Sequence, residues 1–118
     1  MKNIPWNHVL AGLLTAFFAV GGTLNLMASP GTVEEYVHWG YPAWFPYVTG
    51  TLEWAAAVLI AIPVVRLAGS ALAGLVMTAA GITVLSNGEY AHVIPPAVIL
   101  TLVCLNGWLT WRSRRKTI

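Results

Sequence analysis

Four apolar stretches, at about 9–28, 44–64, 67–85 and 95–111, fill most of this 118-residue chain and limit what it can fold into. Each is close to the roughly 20 residues, or about 17 at the short end, that an α-helix needs to cross the hydrocarbon core of a bilayer. Composition agrees. The chain is 58% hydrophobic and 8% charged, with mean hydropathy +0.72, whereas a soluble domain carries about 25% charged residues. So few charges do not cover a water-facing surface. The expected fold class is an all-α integral membrane protein: one domain over residues 1–118, built as a four-transmembrane-helix bundle.

Punctuation between the stretches supports four helices. "SPG" at 29–31 ends the first, and Pro42 and Pro46 bracket the start of the second, where the missing proline N–H is tolerated. "SNG" at 86–88 is a turn signal and "IPP" at 94–96 opens the fourth. The first stretch, from about Val9 to Ala28, exceeds the roughly 7–15 apolar residues of a signal peptide, so it is expected to be a retained helix. Between the first two spans, "PGTVEEYVHWGYP" suggests a short interfacial helix from about Thr32 to Trp39. Thr32 is its expected cap, and Glu35 completes a capping box.

Given four spans, Lys2, Arg66, Arg112, Arg114, Arg115 and Lys116 fall on one side and Glu34, Glu35 and Glu89 on the other. The positive-inside rule then places both termini in the cytoplasm, with the 29–43 and 86–94 loops outward, in a multi-pass membrane protein. Trp39, Tyr41, Trp44, Phe45 and Tyr47 crowd one expected interface, with Tyr90 in the other outer loop. Trp6, Trp108 and Trp111 mark the opposite one, as amphipathic rings favour the headgroup region. The basic "RSRRK" tail reads as a cytoplasmic flank or lipid-headgroup contact, and the net charge of +2 is no argument for nucleic acid.

Small residues recur at helical spacing: Ser70, Gly74, Thr78 and Gly81; Gly50, Glu53, Ala57 and Ala61; Gly12, Ala16 and Ala19, followed by Gly21 and Gly22. Such rows let helices approach closely in lipid, where the hydrophobic effect does not drive them together. Glu53 shares a face with Gly50 and Ala57, which points it into the bundle. It lies nine residues from Trp44, roughly 14 Å at 1.5 Å per residue, near the middle of its span. An ionised residue there costs about 2.5–3.5 kcal/mol on insertion scales. No Lys or Arg lies at that depth, so loss of hydration favours the neutral acid. Its hydrogen-bond partners are expected among Thr15, Thr23, Asn25, Thr78, Thr83, Thr101 and Asn106. Two roles stay open for it: a polar staple between helices, or the hydrogen-bonding group of a ligand cavity.

Other chemistry is thinly represented. Trp54 is placed either against lipid or as a cavity wall. His8 sits at one mouth of the first span, and His38 and His92 lie in different outer loops, which is poor support for a metal. Cys104 is a lone cysteine in an apolar run and forms no intrachain disulfide. No cofactor motif is present.

The stretch "GYPAWFPYVTGTLEWAAAVLIAIPVVRLAGSALAGLVMTAAGIT", residues 40–83, resembles the DoxX-like family of small four-helix bacterial membrane proteins. The resemblance rests on "GYP" leading into the second helix, G-x-x-E at Gly50–Glu53, the apolar run ended by Pro63, the basic turn at Arg66 and the Ala/Gly-rich third helix. Family members often carry a histidine where Val84 follows Thr83 here. The resemblance implies a setting of thiosulfate:quinone oxidoreduction, accessory subunits of redox or stress complexes, or assembly chaperones, and it carries the family glutamate over to Glu53.

From these readings the expected function is binding of a hydrophobic ligand, a quinone or isoprenoid-like lipid, in an intrabundle cavity around Glu53, as an accessory subunit of a redox complex. The expected ligand-binding residues are Glu53, Trp54, Asn25, Thr78 and Gly50; no metal ligands are expected, and the cofactor, if any, is a quinone. Expected partners are membrane lipid, a hydrophobic small molecule, and another membrane protein or further copies of the chain. Three alternatives compete: a non-catalytic scaffold or assembly chaperone, a membrane isomerase or cyclase with Glu53 as catalytic general acid, and a proton-coupled small exporter. Dual-topology exporters of that last kind carry their glutamate in the first helix and need a weak charge bias, and neither holds here.

Overall fold

The structure, a computed structural model, describes residues 5–117, with side chains described as far as Ser113. Lys2 therefore lies outside the described residues, as do the side chains of Arg114, Arg115 and Lys116. The described residues are helical almost throughout: α1 (Trp6–Met27), α2 (Pro30–His38), α3 (Phe45–Ala61), α4 (Arg66–Ser86) and α5 (Ile94–Thr117), with 3-10 turns at Pro63–Val65 and Tyr90–Val93.

Proline and glycine set the boundaries. Ala28 closes α1 in the left-handed region (φ 46°), its N–H donating to Asn25 O. Ser29 then caps α2, its hydroxyl accepting from Thr32 N, and Pro30 takes the first turn. The cap is thus Ser29 rather than the expected Thr32, because Pro30 is preorganised for the first helical position. Gly40 (φ 93°) turns the chain from α2 toward α3, and Gly88 (φ 74°) turns it after α4. Few residues other than glycine adopt such angles without strain.

α3 is shorter than the expected 44–64 span. Ile62 is extended (φ −95°, ψ 112°), as the residue before a proline tends to be, so the helix stops at Ala61. Three segments, Trp6–Met27, Pro63–Ser86 and Tyr90–Ser113, are long and apolar enough to cross a membrane, and α3, at 17 residues, is apolar but shorter.

α1 packs chiefly on α3, α3 on α4 and α4 on α5, and α1 also touches α5. The core runs through Leu14, Phe18, Ala56, Ala57, Ile60, Ala73 and Val103. The small-residue rows are only partly the contact faces. On α1 the buried face is Ala11, Leu14, Phe18 and Gly22, whereas Gly12 and Ala16 are exposed. On α3, Gly50, Glu53 and Ala57 are buried but Ala61 is exposed. On α4, Gly74 meets Leu100 and Val103 of α5 and Gly81 meets Val93, while Thr78 is exposed.

The closest backbone approaches use three glycines. A Cβ on Gly50 would lie 2.8 Å from Gly22 O, one on Gly22 2.9 Å from Gly50 O, and one on Gly69 2.6 Å from Ile60 N. These contacts fix how deep α3 sits between α1 and α4.

The end of the bundle holding the start of α1 and the α3–α4 turn is tied by polar side chains. Arg66 is buried and donates from Nε to Ile60 O at 2.6 Å, with Nη1 3.1 Å from His8 Nδ1. A basic residue read as a surface turn thus closes the C-terminal carbonyls of α3. Buried Asn106 accepts from Ser70 at 3.2 Å and donates to Asn7 O at 3.4 Å, joining α5 to α4 and α1.

Candidate functional site

At the opposite end, a cavity of about 500 Å³ opens between α1, α2, α3, α4 and the Tyr90–Val93 turn. That volume lies within the roughly 300–1,000 Å³ of small-molecule sites. Its walls are mostly apolar. Leu24 and Leu52 stand on one side, Val76, Met77, Ala80 and Val84 of α4 on another, and Tyr36, Trp39, Tyr41 and Phe45 form an aromatic wall beneath α2.

The aromatic wall follows from local structure. α2 lies across the end of the bundle, and the turn at Gly40 folds Tyr41 back toward it. Tyr41 stacks on Phe45 at 4.6 Å, and Tyr36 leans on both rings at 6.0 and 6.2 Å. Trp39 packs edge-on against Tyr36 at 5.5 Å.

Glu53 is the buried polar group of this cavity, 5% exposed. Asn25 of α1 donates from Nδ2 to Glu53 Oε1 at 2.6 Å and to Gly21 O at 3.2 Å. Tyr36 donates its hydroxyl to Asn25 Oδ1 at 2.8 Å. The amide is therefore oriented by both neighbours, and one chain of hydrogen bonds joins α2, α1 and α3. Glu53 Oε2 lies against Gly21, where a Cβ would sit 2.9 Å from it, so the glycine leaves the oxygen its room. Among the described residues no side-chain donor reaches Oε2. A second polar pair stands on the α4 wall, where the Tyr41 hydroxyl and Thr83 Oγ1 are 2.6 Å apart.

Glu89 joins two residues of the lining, Trp39 and His92. Its carboxylate accepts from Trp39 Nε1 at 3.2 Å, lies 3.1 Å from His92 Nδ1, and lies 3.4 Å from His38 Nε2. The hydrogen bond from His92, reinforced by that from Trp39, holds the Glu89 carboxyl below its ordinary range. Burial pushes the Tyr36 phenol above its ordinary range, which keeps its proton available for Asn25. His38 and His92 do meet across this face, through a glutamate. Among the described residues no group of three or more His, Cys, Asp or Glu is arranged to hold a metal.

The expected ligand-binding residues divide. Glu53 and Asn25 line the cavity and are bonded to each other. Trp54 does not line it. Its ring is 39% exposed, and its N–H donates to Thr23 at 3.1 Å on the outer surface of α1 and α3. Thr78 points outward and returns its hydroxyl to Gly74 O at 2.7 Å, and Gly50 is buried against α1. Thr78 and Thr83 differ by five residues, which turns their side chains well apart around a helix. Tyr36, Tyr41 and Thr83 join the cavity although they were not among the expected site residues. The signal for the tyrosines was the capped short helix followed by "WGY", which places aromatic rings one turn apart beneath it.

Chemically, the arrangement offers a buried carboxyl with one oxygen bonded to Asn25, beside a mostly apolar lining. It suits holding a polar group on an otherwise apolar molecule.

Comparisons with known proteins place the chain as follows. Residues 9–106 match the profile of the DoxX-like family. Over 45 residues, 38% of this chain, it is 42% identical to an uncharacterized protein, YdgD, of Bacillus subtilis (strain 168), and the match covers 40% of that protein. No solved structure matches.

Proposed function

The chain belongs to the DoxX-like family, and on that premise we propose that it is a four-span membrane protein, both termini cytoplasmic, that holds an apolar small molecule by a polar group at Glu53. The observation that carries this reading is the pairing of a mostly apolar cavity of about 500 Å³ with a buried carboxyl whose Oε2 has no side-chain partner among the described residues. A side chain serving only as an interhelical staple needs no cavity beside it. α3 makes the fourth span. Its 17 residues reach about 25 Å, a few ångströms short of a typical hydrocarbon core and within what local thinning accommodates.

A quinone or an isoprenoid-like lipid satisfies this description: a carbonyl or hydroxyl at Glu53 and an apolar body along Val76, Met77 and the aromatic wall. In that reading the protein serves as an accessory subunit that holds the molecule for a redox complex in the bacterial cytoplasmic membrane. The test is extraction of the purified protein, in lipid nanodiscs, followed by mass spectrometry of the small molecules retained. Wild type is expected to retain a species that Glu53→Gln and Ala80→Phe lose, the second by filling the cavity. Equal retention by all three proteins, or none by any, sinks the reading and leaves the scaffold alternative standing.

A further inference from the structure

We infer that the occupant of the Glu53 cavity is an organic cation, a tertiary or quaternary ammonium carried on an apolar ring or short hydrocarbon. This rests on the cavity reading above and puts a charged occupant in place of the neutral quinone or isoprenoid-like lipid named there.

Three independent features of the lining converge. The first is charge. Buried Glu53 and exposed Glu35 both line the cavity, and among the described residues no lysine or arginine does. Arg66 bonds Ile60 and His8 at the other end of the bundle, and His92, the remaining basic side chain of the lining, is bonded to Glu89. Field lines from a carboxylate are concentrated in a low-dielectric cleft, so the cavity favours a positive occupant and repels a negative one.

The second feature is the aromatic wall. Tyr36, Trp39, Tyr41 and Phe45 all line the space. Tyr41 and Phe45 are nearly parallel at 10°, while Tyr36 is inclined to them by 54° and 45°. The rings are thus set at different inclinations rather than in one plane. Ring faces carry negative potential, and walls of this kind recognise quaternary ammonium groups, which are too weakly hydrated to resist leaving water.

The third is the state of Glu53 itself. It is 5% exposed, Asn25 supports Oε1 with a hydrogen bond, and among the described residues no side chain donates to Oε2. Among the described residues lining the cavity there is no lysine or arginine beside it, so an occupant's positive charge and a proton compete for the carboxyl. A neutral ligand uses the apolar walls but leaves that oxygen without a counter-charge.

Three probes that share a naphthalene ring test the inference: (2-naphthylmethyl)trimethylammonium, its neutral carbon isostere 2-neopentylnaphthalene, and the quinone menadione. Binding is measured by equilibrium dialysis against the full chain in phosphatidylcholine nanodiscs, with empty nanodiscs subtracted. The cation is expected to bind about tenfold or more tightly than its isostere. Glu53→Gln is expected to erase that preference while leaving isostere affinity unchanged, and Ala80→Phe to weaken every probe that binds. If Glu53→Gln fails to fold, Glu35→Gln on exposed α2 replaces it and is expected to weaken the cation alone, by about threefold at low salt. Isostere or menadione binding as tightly as the cation, with both lost in Ala80→Phe, overturns the charge of the occupant and leaves the cavity reading intact. Failure of all three probes to bind overturns both.

Discussion

Asn25 on α1 and Glu53 on α3 share a hydrogen bond of 2.6 Å, and the amide that makes it is turned by the Tyr36 hydroxyl at 2.8 Å. Residues far apart in sequence thus form one polar chain beside the cavity. Asn25→Leu removes the donor to Glu53 and the acceptor for Tyr36 together. Interhelical hydrogen bonds in membrane proteins average about 0.6 kcal/mol and reach about 1.7 kcal/mol, so the loss of two places the expected cost at about 1–2 kcal/mol. Reversible unfolding in mixed micelles measures it. A double-mutant cycle of Asn25→Leu with Glu53→Gln is expected to show coupling of about 0.5–1.5 kcal/mol. Additive effects would mean that the contact does not hold the helices.

Glycines of the same residue type carry opposite expectations. A Cβ on Gly50 meets Gly22 O at 2.8 Å, whereas a Cβ on Gly12 meets nothing within 4 Å. Gly50→Ala forces α1 and α3 apart and is expected to cost about 1–3 kcal/mol, the usual range for overpacking. Gly12→Ala is expected to stabilise by about 0.5–1 kcal/mol, because alanine loses less backbone freedom in a helix. Thermal unfolding midpoints of the two variants should shift in opposite directions, and a shared sign would refute the packing register.

Much of this architecture was legible in the sequence. The helices follow from apolar runs and proline punctuation, and Glu53 from being the single charge within one of those runs. What spacing along one helix leaves open is which face meets a neighbour. Gly12 and Gly22 belong to the same small-residue series, yet one is exposed and the other buried, because the crossing point of α1 and α3 selects between them. Asn25 was one of seven polar candidates to meet Glu53, and choosing it requires knowing that the end of α1 lies beside the middle of α3. Trp54 was left open between lipid and cavity, since an indole can bury its body on either side of its helix. Tyr36 enters the site because α2 carries it to the cavity wall and its hydroxyl to Asn25.

Arg66 tests the other end of the bundle. Its guanidinium donates to Ile60 O at 2.6 Å and to Ala61 O at 3.5 Å, and rests against His8. These carbonyls belong to the last turn of α3, whose C=O groups have no partner within that helix. Arg66→Met keeps the length of the side chain and removes its donors. The expected loss is about 1.5–3 kcal/mol, the range for hydrogen bonds involving a charged group. Arg66→Lys is expected to recover only part of it, because an ammonium does not span both carbonyls and His8 with a planar fork. Full recovery by lysine would show that charge alone matters there.

Glu89 ties Trp39 of the α2 end to the turn that carries His92, and these contacts hold its carboxyl below the ordinary range. A group whose folded-state pKa is depressed contributes stability above its unfolded pKa and loses it as pH falls through the folded value. The contribution of Glu89 is therefore complete above the ordinary glutamate value of about 4.3 and declines as the pH is lowered past it. The difference in melting temperature between wild type and Glu89→Gln is expected to shrink as the pH falls below about that value. A difference that grows as the pH is lowered below it would reverse the sign and exclude Glu89 as the group responsible.

Thr78 and Thr83 separate the side-chain spacing of α4 from its actual facing. Thr78 bonds Gly74 O and points outward, whereas Thr83 stands on the cavity wall 2.6 Å from the Tyr41 hydroxyl. That hydroxyl pair shares one hydrogen between its two oxygens, so the other hydrogen is free to meet a molecule in the cavity. Thr78→Val is expected to leave retention of the cavity's ligand unchanged, within about twofold, since its hydroxyl never reaches the cavity. Thr83→Val leaves Tyr41 without its partner and removes a polar point from the wall, and it is expected to lower retention by about threefold to tenfold, the worth of one hydrogen bond. Tyr41→Phe should match it, because either change breaks the same pair. Mass spectrometry of the molecules held by each variant in nanodiscs reads all three. Loss of ligand in Thr78→Val with none in Thr83→Val would place the site on the opposite face of α4.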